Sequence, residues 1–150
     1  MFDMDGDGLE DIIVPEATNQ KIIYLKKLNR SGLKWKCYVI NIPKNIGRTS
    51  KAVKAGDING DGKPDIVHTT NTNGEKDKIR VAWMSFKNAP TDSDWQWNDI
   101  SGIIGYKFDR IELIDLDGDG DLDVLTYEEN YGTNSKGLGV ICYENPINKK

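Results

Sequence analysis

Three nine-residue segments rich in aspartate and glycine constrain this chain more than any other feature. They align without gaps and begin at residues 3, 57 and 115, which are 54 and 58 residues apart. Each segment has an oxygen-bearing side chain at its first, third, fifth and ninth positions and a glycine at its fourth and sixth positions. We name them loop 1 (residues 3–11), loop 2 (57–65) and loop 3 (115–123). A repeat of this length is too long for ankyrin or tetratricopeptide units and approaches one four-stranded blade with long connections.

The residues between the loops predict β-strands. Short runs of β-branched residues follow each loop, polar turns rich in Asn and Gly come next, and further apolar runs alternate with polar residues, as half-buried strands require. No stretch of about ten residues has a helical period. The predicted strands are 12–14, 21–28 and 34–42 around loop 1; 50–55, 66–67, 79–86 and 95–100 around loop 2; and 109–114, 124–125 and 138–144 around loop 3.

These strands and loops predict an all-β partial β-propeller of about three four-stranded antiparallel blades. It forms one unit over residues 1–150, with repeats at about 1–49, 50–107 and 108–150. Only the middle repeat has four strands, since the first lacks a strand before its loop and the last lacks one after residue 144. Closed propellers typically have 4–8 blades. We therefore expect either a piece of a longer propeller, the preferred interpretation, or several copies that complete a ring.

The loops predict calcium sites, about three ions in all. Four side-chain oxygens, a backbone carbonyl at the seventh position and water match the 6–8 hard oxygen ligands of Ca²⁺. Zinc would require nitrogen or sulfur ligands, which the loops lack. The candidate ligands are Asp3, Asp5, Asp7, Leu9 and Asp11 in loop 1; Asp57, Asn59, Asp61, Lys63 and Asp65 in loop 2; and Asp115, Asp117, Asp119, Asp121 and Asp123 in loop 3.

An EF-hand begins in the same way but requires a bidentate Glu at position 12 and flanking helices. Position 12 is Val14, His68 or Thr126 in the three loops, and strand-forming residues follow. Without a cation, the carboxylates of loops 1 and 3 would repel one another by about 1 kcal/mol or more per pair. We therefore expect calcium to stabilise the fold.

The loops and the strands that follow them resemble FG-GAP/VCBS-type repeats, the blades of integrin-α-like β-propellers. The resemblance rests on the three loops, on the strand starts Asp-Ile-Ile-Val, Asp-Ile-Val and Asp-Val-Leu, and on residues 139–146, Gly-Val-Ile-Cys-Tyr-Glu-Asn-Pro. The Phe-Gly and Gly-Ala-Pro motifs are absent and the units are fewer than seven, which indicates a divergent branch. Residues 139–146 resemble a strand ending that is common in bacterial members. The resemblance implies a secreted or cell-surface module, of a kind often attached to adhesion or polysaccharide-processing proteins.

Two classes of function remain open at this point. The first is a structural or ligand-binding module with a protein or glycan partner. The second is part of a polysaccharide-degrading, lyase-like enzyme, for which His68 is the weak catalytic candidate. No motif identifies a partner for it, Tyr106 and Tyr127 included, and the alternative is that His68 is a strand or blade-surface residue. Trp35, Trp83, Trp95, Trp97 and Tyr106 are candidates for sugar stacking or for packing between blades. Lys26, Lys27, Arg30, Lys34 and Lys36 form either a surface for an anionic glycan or a solvated strand edge.

The remaining features exclude several functions. No run of about 18 apolar residues could span a membrane, and no signal peptide is visible in this chain. No phosphate-binding loop, catalytic triad or interleaved basic and aromatic motif for nucleic acid is present. Cys37 and Cys142 lie in apolar runs and are expected to be buried thiols, although a disulfide between them is the alternative.

Overall fold

The structure, a computed structural model, describes residues 1–129 and 137–147. These residues form ten β-strands joined by turns and bends, so the predicted all-β class is confirmed. None of them forms a helix that is long and apolar enough to cross a membrane. The strands are β1 (Ile12–Glu16), β2 (Lys21–Lys27), β3 (Trp35–Asn41), β4 (Thr49–Gly56), β5 (Asp65–Asn71), β6 (Val81–Ser85), β7 (Gln96–Asp99), β8 (Phe108–Ile114), β9 (Asp123–Glu128) and β10 (Gly139–Tyr143).

The strands make three antiparallel sheets, each of which follows the order of the chain. Sheet 1 contains β1, β2 and β3, sheet 2 contains β4 to β7, and sheet 3 contains β8, β9 and β10. All the pairings within them are antiparallel between consecutive strands. Among the residues that the structure describes, only the middle repeat forms a four-stranded sheet, as predicted.

Two hydrophobic cores fill the spaces between the sheets. The first core lies between sheets 1 and 2 and contains Met4, Ile22, Tyr24, Ile40, Ile66, Met84 and Trp95. The second core lies between sheets 2 and 3 and contains Ile58, Val67, Val81, Phe108, Ile111 and Val124. Successive residues of a strand face opposite sides of its sheet, and Ile66 and Val67 of β5 accordingly enter different cores. Sheet 2 is thus covered on both faces.

Sheets 1 and 3 each have one face that packs on neither core. On sheet 1 this outward face contains the cross-strand rows Ile12–Leu25–Cys37 and Val14–Ile23–Val39. Val14 and Val39 are 40% and 43% exposed there. On sheet 3 the outward face includes Val140, which is 75% exposed. Both end sheets therefore present apolar side chains to solvent.

The expectation that the two cysteines are buried was wrong. Cys37 and Cys142 are exposed and free. They lie on β3 and β10, the outer strands of sheets 1 and 3, and the alternation of side chains places their neighbours Tyr38 and Ile141 against the cores instead. An apolar run identifies a strand, but it does not show which of its faces is covered.

Three of the four tryptophans pack between sheets, which agrees with the packing alternative for them. Trp95 is 7% exposed in the first core, and Trp97 packs against the same core. Trp83 packs against the second core. Trp35, at 37% exposure, lies on β3 with the Lys27 ammonium 5.9 Å from its ring centre.

The packing predicts a large loss of stability for Ile66→Ala. Ile66 is fully buried between sheets 1 and 2, and truncating a buried isoleucine removes apolar contacts and leaves a cavity. We expect the free energy of unfolding, measured by urea titration, to fall by about 2–5 kcal/mol. Val140→Ala, on the outward face of sheet 3, is the matched control and should change it by less than about 0.5 kcal/mol. Equal losses in the two variants would contradict the assignment of the cores.

Candidate metal centres

The three loops occupy equivalent places in the fold. Loop 1 precedes β1, loop 2 connects β4 to β5, and loop 3 connects β8 to β9. A single bridge between Phe2 and Asp11 closes loop 1 in the way that the strand pairs close loops 2 and 3. Each loop therefore lies at the start of the strand that follows it, and the same nine positions can be compared in all three.

The aspartate at the first position organises each loop through two backbone donors. Its Oδ1 accepts a hydrogen bond from the N–H of the glycine at the fourth position, at 2.9, 2.8 and 2.7 Å in loops 1, 2 and 3. Its Oδ2 accepts from the glycine at the sixth position, at 2.8, 2.8 and 3.1 Å. These glycines have φ values between 71° and 96°. Other residues rarely adopt this conformation, which explains the two fixed glycines of each loop.

The aspartate at the ninth position joins each loop to its sheet. Asp11, Asp65 and Asp123 are 0%, 1% and 2% exposed. The Oδ2 of each accepts a hydrogen bond from the backbone N–H at the second position, at 3.1, 3.0 and 3.0 Å. Because a buried carboxylate needs hydrogen-bond partners, this contact holds the two ends of the loop together.

Donors from outside the loop reach the ninth aspartate in loops 1 and 3, whereas in loop 2 the Asn59 N–H donates to Asp65 Oδ2 at 3.2 Å. The Tyr24 hydroxyl donates to Asp11 Oδ2 at 2.9 Å, and the Lys27 N–H donates to Asp11 Oδ1 at 2.8 Å. Burial, and secondarily the hydrogen bond to Asp11, holds the pKa of Tyr24 above its ordinary value, so the hydroxyl remains a donor. In loop 3 the Asn145 N–H donates to Asp123 Oδ1 at 2.8 Å.

The structure brings together only some of the predicted ligands. Carboxylate oxygens of Asp3, Asp5 and Asp11 lie within 4.8 Å of one another, and so do those of Asp115, Asp117 and Asp119. Loop 2 has an amide, Asn59, at its third position. The backbone N–H groups of the seventh-position residues donate to the fifth-position aspartate at 2.9, 2.9 and 3.1 Å. Those seventh-position residues are Leu9, Lys63 and Asp121.

The donor set fits a hard divalent cation. All the candidate side-chain donors are oxygens, as Ca²⁺ prefers. Asp5 Oδ1 is buried without a hydrogen-bond partner among the described residues, so this oxygen is available to coordinate a cation. Burial, with smaller contributions from Asp61 and Asp57, raises the pKa of Asp65 to about 6 against the opposing hydrogen bonds from the Ile58 and Asn59 N–H groups. A bound cation would lower this pKa, because it favours the ionised carboxylate.

Loop 1 also contacts a lysine that the sequence patterns did not assign to it. The Lys26 ammonium forms ion pairs with Asp5 Oδ2 and, at 3.1 Å, with Asp7 Oδ2. The sequence places Lys26 only within a basic set that forms either a surface for an anionic glycan or a solvated strand edge. The signal that could have placed it is the pairing of β1 with β2, because Ile12 stands opposite Leu25 and Lys26 comes next along the strand.

The structure encloses His68, the weak catalytic candidate, in β5. The imidazole is fully buried and meets the Trp97 ring edge-on, with ring centres 5.7 Å apart. Burial lowers the pKa of His68 to about 3, and neither ring nitrogen has a hydrogen-bond partner within residues 1–129 and 137–147. A buried, neutral imidazole of this kind has no path to a substrate in this conformation.

A groove of about 570 Å³ lies between loops 1 and 2. Its lining includes the acidic side chains of Asp3, Asp5 and Asp57 and the apolar rings of Phe2 and Phe86. The groove is therefore the concave surface that combines the candidate ligands with apolar area.

The comparisons with known proteins agree with the loop geometry. Residues 3–68 match a family model described as an FG-GAP-like repeat. This segment spans loop 1, all of sheet 1, loop 2 and the start of β5. No curated protein and no solved structure matches the chain significantly. The resemblance inferred from the loops is confirmed for these residues.

The buried imidazole predicts a proton-linked loss of stability. The pKa of His68 lies below its ordinary value of 6.5 in the folded protein, so the unfolded chain binds the proton more readily. The stability contributed by neutral His68 is therefore present above pH 6.5 and declines as pH falls, by about 1.4 kcal/mol per pH unit until the folded-state pKa is reached.

The measurement is urea unfolding of the wild type and of His68→Leu at pH 7.5 and pH 5. Leucine is apolar, of comparable size and does not titrate. We therefore expect the free energy of unfolding to fall by about 2 kcal/mol more in the wild type than in the variant between pH 7.5 and pH 5. The values at pH 7.5, where His68 is neutral in both states, are the internal control. Parallel losses in the two proteins would show that His68 is accessible to protons in the fold.

Proposed function

From the FG-GAP-like repeat over residues 3–68, we propose that this chain is a calcium-binding repeat module in which one ion in each loop stabilises a stack of propeller-type sheets. The observation that carries the proposal is the recurrence of one hydrogen-bond pattern in three loops. In every loop the first aspartate accepts hydrogen bonds from the N–H groups of the fourth- and sixth-position glycines. The ninth aspartate accepts one from the second-position N–H.

Charge supports a divalent cation in particular. Loops 1 and 3 each hold a set of three carboxylates whose oxygens approach within 4.8 Å, and like charges at this separation repel. Ca²⁺ accepts 6–8 oxygens in flexible geometry, whereas Mg²⁺ requires a near-ideal octahedron and retains several waters. Irregular loops of aspartate, asparagine and backbone carbonyl oxygens therefore suit calcium better.

The outward faces support a propeller-type stack. The first residue after loops 2 and 3, Ile66 or Val124, enters the core shared with the preceding sheet. The second residue after loops 1 and 2, Ile13 or Val67, faces the following sheet. The corresponding residues that lack a neighbouring sheet are Ile12 on sheet 1 and Leu125 on sheet 3. Both are apolar, as further blades on either side would require, whether they come from a longer chain or from other copies.

The proposal includes a secreted or cell-surface location. FG-GAP repeats typically occur in extracellular or surface proteins, where calcium is abundant. The groove between loops 1 and 2 supports a ligand-binding role for a protein or glycan partner, because its acidic walls and its two phenylalanines offer polar and apolar contacts together. Enzyme activity has no comparable support, since His68 is buried away from that groove's lining.

Calcium should raise the melting temperature substantially. Calcium at about 100 times its dissociation constant stabilises a folded protein by about 2.7 kcal/mol per site. For a domain of this size, 1 kcal/mol corresponds to about 2–4 °C. We expect melting in millimolar CaCl₂ to occur at least about 5 °C above melting in chelator, with a smaller effect of MgCl₂.

A triple variant identifies the loops as the source of this shift. Asp7→Asn, Asp61→Asn and Asp119→Asn together remove one charge from each loop, while the amide oxygen can still accept the seventh-position N–H. We expect this variant to lose most of the calcium shift. The matched control neutralises three exposed aspartates outside the loops, Asp77, Asp94 and Asp99, and should keep the shift. A shift below about 2 °C in the wild type, or equal shifts in both triple variants, would overturn the proposal.

A further inference from the structure

We propose that Lys26 is a tethered counter-ion of loop 1, which weakens the binding of Ca²⁺ to this loop, so that loop 1 fills after loop 3, the other loop with three clustered carboxylates. This inference rests on the proposed function. It concerns a difference among the three loops that their shared motif does not contain, because the deciding residue lies outside the motif, on the second strand of the sheet.

The geometry places the Lys26 ammonium directly on candidate ligands. It contacts Asp5 Oδ2 and Asp7 Oδ2, which belong to the third and fifth positions of loop 1. The Lys26 side chain is 21% exposed and that of Asp5 is 16% exposed, so the pair is partly withdrawn from water. A divalent cation that uses these oxygens must displace the ammonium or share them with it.

Within residues 1–129 and 137–147, only loop 1 has an ammonium on its carboxylates, and the sheet register explains this difference. Ile12 stands opposite Leu25, Ile66 opposite Met84, and Val124 opposite Tyr143. One step further along each ladder, the residue opposite the ninth aspartate is Lys26 in sheet 1, Ser85 in sheet 2 and Glu144 in sheet 3. The same structural position is thus cationic, neutral and anionic in the three repeats.

Electrostatics fixes the direction of the effect. A cation near a carboxylate lowers the attraction of that carboxylate for a second cation, and partial burial strengthens the effect because screening by water is weaker. The ammonium also neutralises part of the loop 1 charge when no metal is bound. Loop 1 should therefore depend less on calcium for its folded geometry than loop 3 does.

The neighbouring Lys27 provides a natural control. Its N–H donates to Asp11 Oδ1, but its side chain lies over the ring of Trp35. Replacing its side chain removes the same charge from the same strand and leaves the backbone donor in place. A general effect of net charge on calcium affinity would appear in both lysine variants. The loss of a tethered counter-ion would appear only in the Lys26 variant.

The test is a calcium titration followed by ¹H–¹⁵N NMR of the full chain. Gly6 and Gly8, Gly60 and Gly62, and Gly118 and Gly120 donate their N–H groups within their own loops, so their amide signals report each loop separately. In the wild type we expect the loop 1 signals to move at a higher calcium concentration than the loop 3 signals. In Lys26→Met the loop 1 midpoint should fall by about tenfold or more, while the other two midpoints stay unchanged.

The reciprocal variant places a lysine at the equivalent position beside loop 2. Ser85→Lys should raise the loop 2 midpoint by a similar factor and leave loop 1 unchanged, and this arm decides the question if Lys26→Met does not fold. Lys27→Met should leave all three midpoints within about twofold. If calcium moves none of the six signals, the proposed function fails; if calcium moves them but neither Lys26→Met nor Ser85→Lys changes its own loop selectively, this inference alone fails.

Discussion

The buried carboxylate at the ninth position of each loop is the contact on which the rest of the structure depends. It ends the loop, begins the next strand and accepts the N–H of the loop's second residue, so that the turn and the sheet share one side chain. The burial of Asp11, Asp65 and Asp123 is tolerable only because donors surround them. Loop and sheet are therefore parts of one arrangement, and a cation in the loop would act directly on the strands.

The strands and the loops could be predicted from the sequence because their signals are local. Alternating side chains and fixed glycines report conformation within a few residues. Nine of the ten described strands have bounds within three residues of the predicted runs, and β5 continues four residues beyond its predicted end at residue 67. The placement of the cysteines could not be predicted in this way. Whether Cys37 is buried depends on which face of β3 packs against the neighbouring sheet. The sequence of residues 34–42 does not indicate that face.

The ion pair of Lys26 illustrates the same limit at the candidate site. The motif identifies ligands within nine consecutive residues, whereas Lys26 reaches Asp5 and Asp7 only because β2 folds back along β1. Lys26 and Lys27 are adjacent and identical in residue type, so the sequence does not show which of them contacts loop 1. The register of β1 and β2 decides it. Three loops with nearly the same sequence can thus differ in electrostatic environment, since each takes its surroundings from a different partner strand.

The side-chain amide of Asn145 adds a mechanical link between repeats. It donates to the carbonyl of Ile58 in loop 2 at 2.8 Å, while its own backbone N–H is held by Asp123 of loop 3. Residues that touch only the adjacent unit make such an array behave as a row of nearest neighbours. Loops 2 and 3 are therefore joined through this one residue as well as through the core that sheets 2 and 3 share, so a change in the geometry of one loop would act on the other.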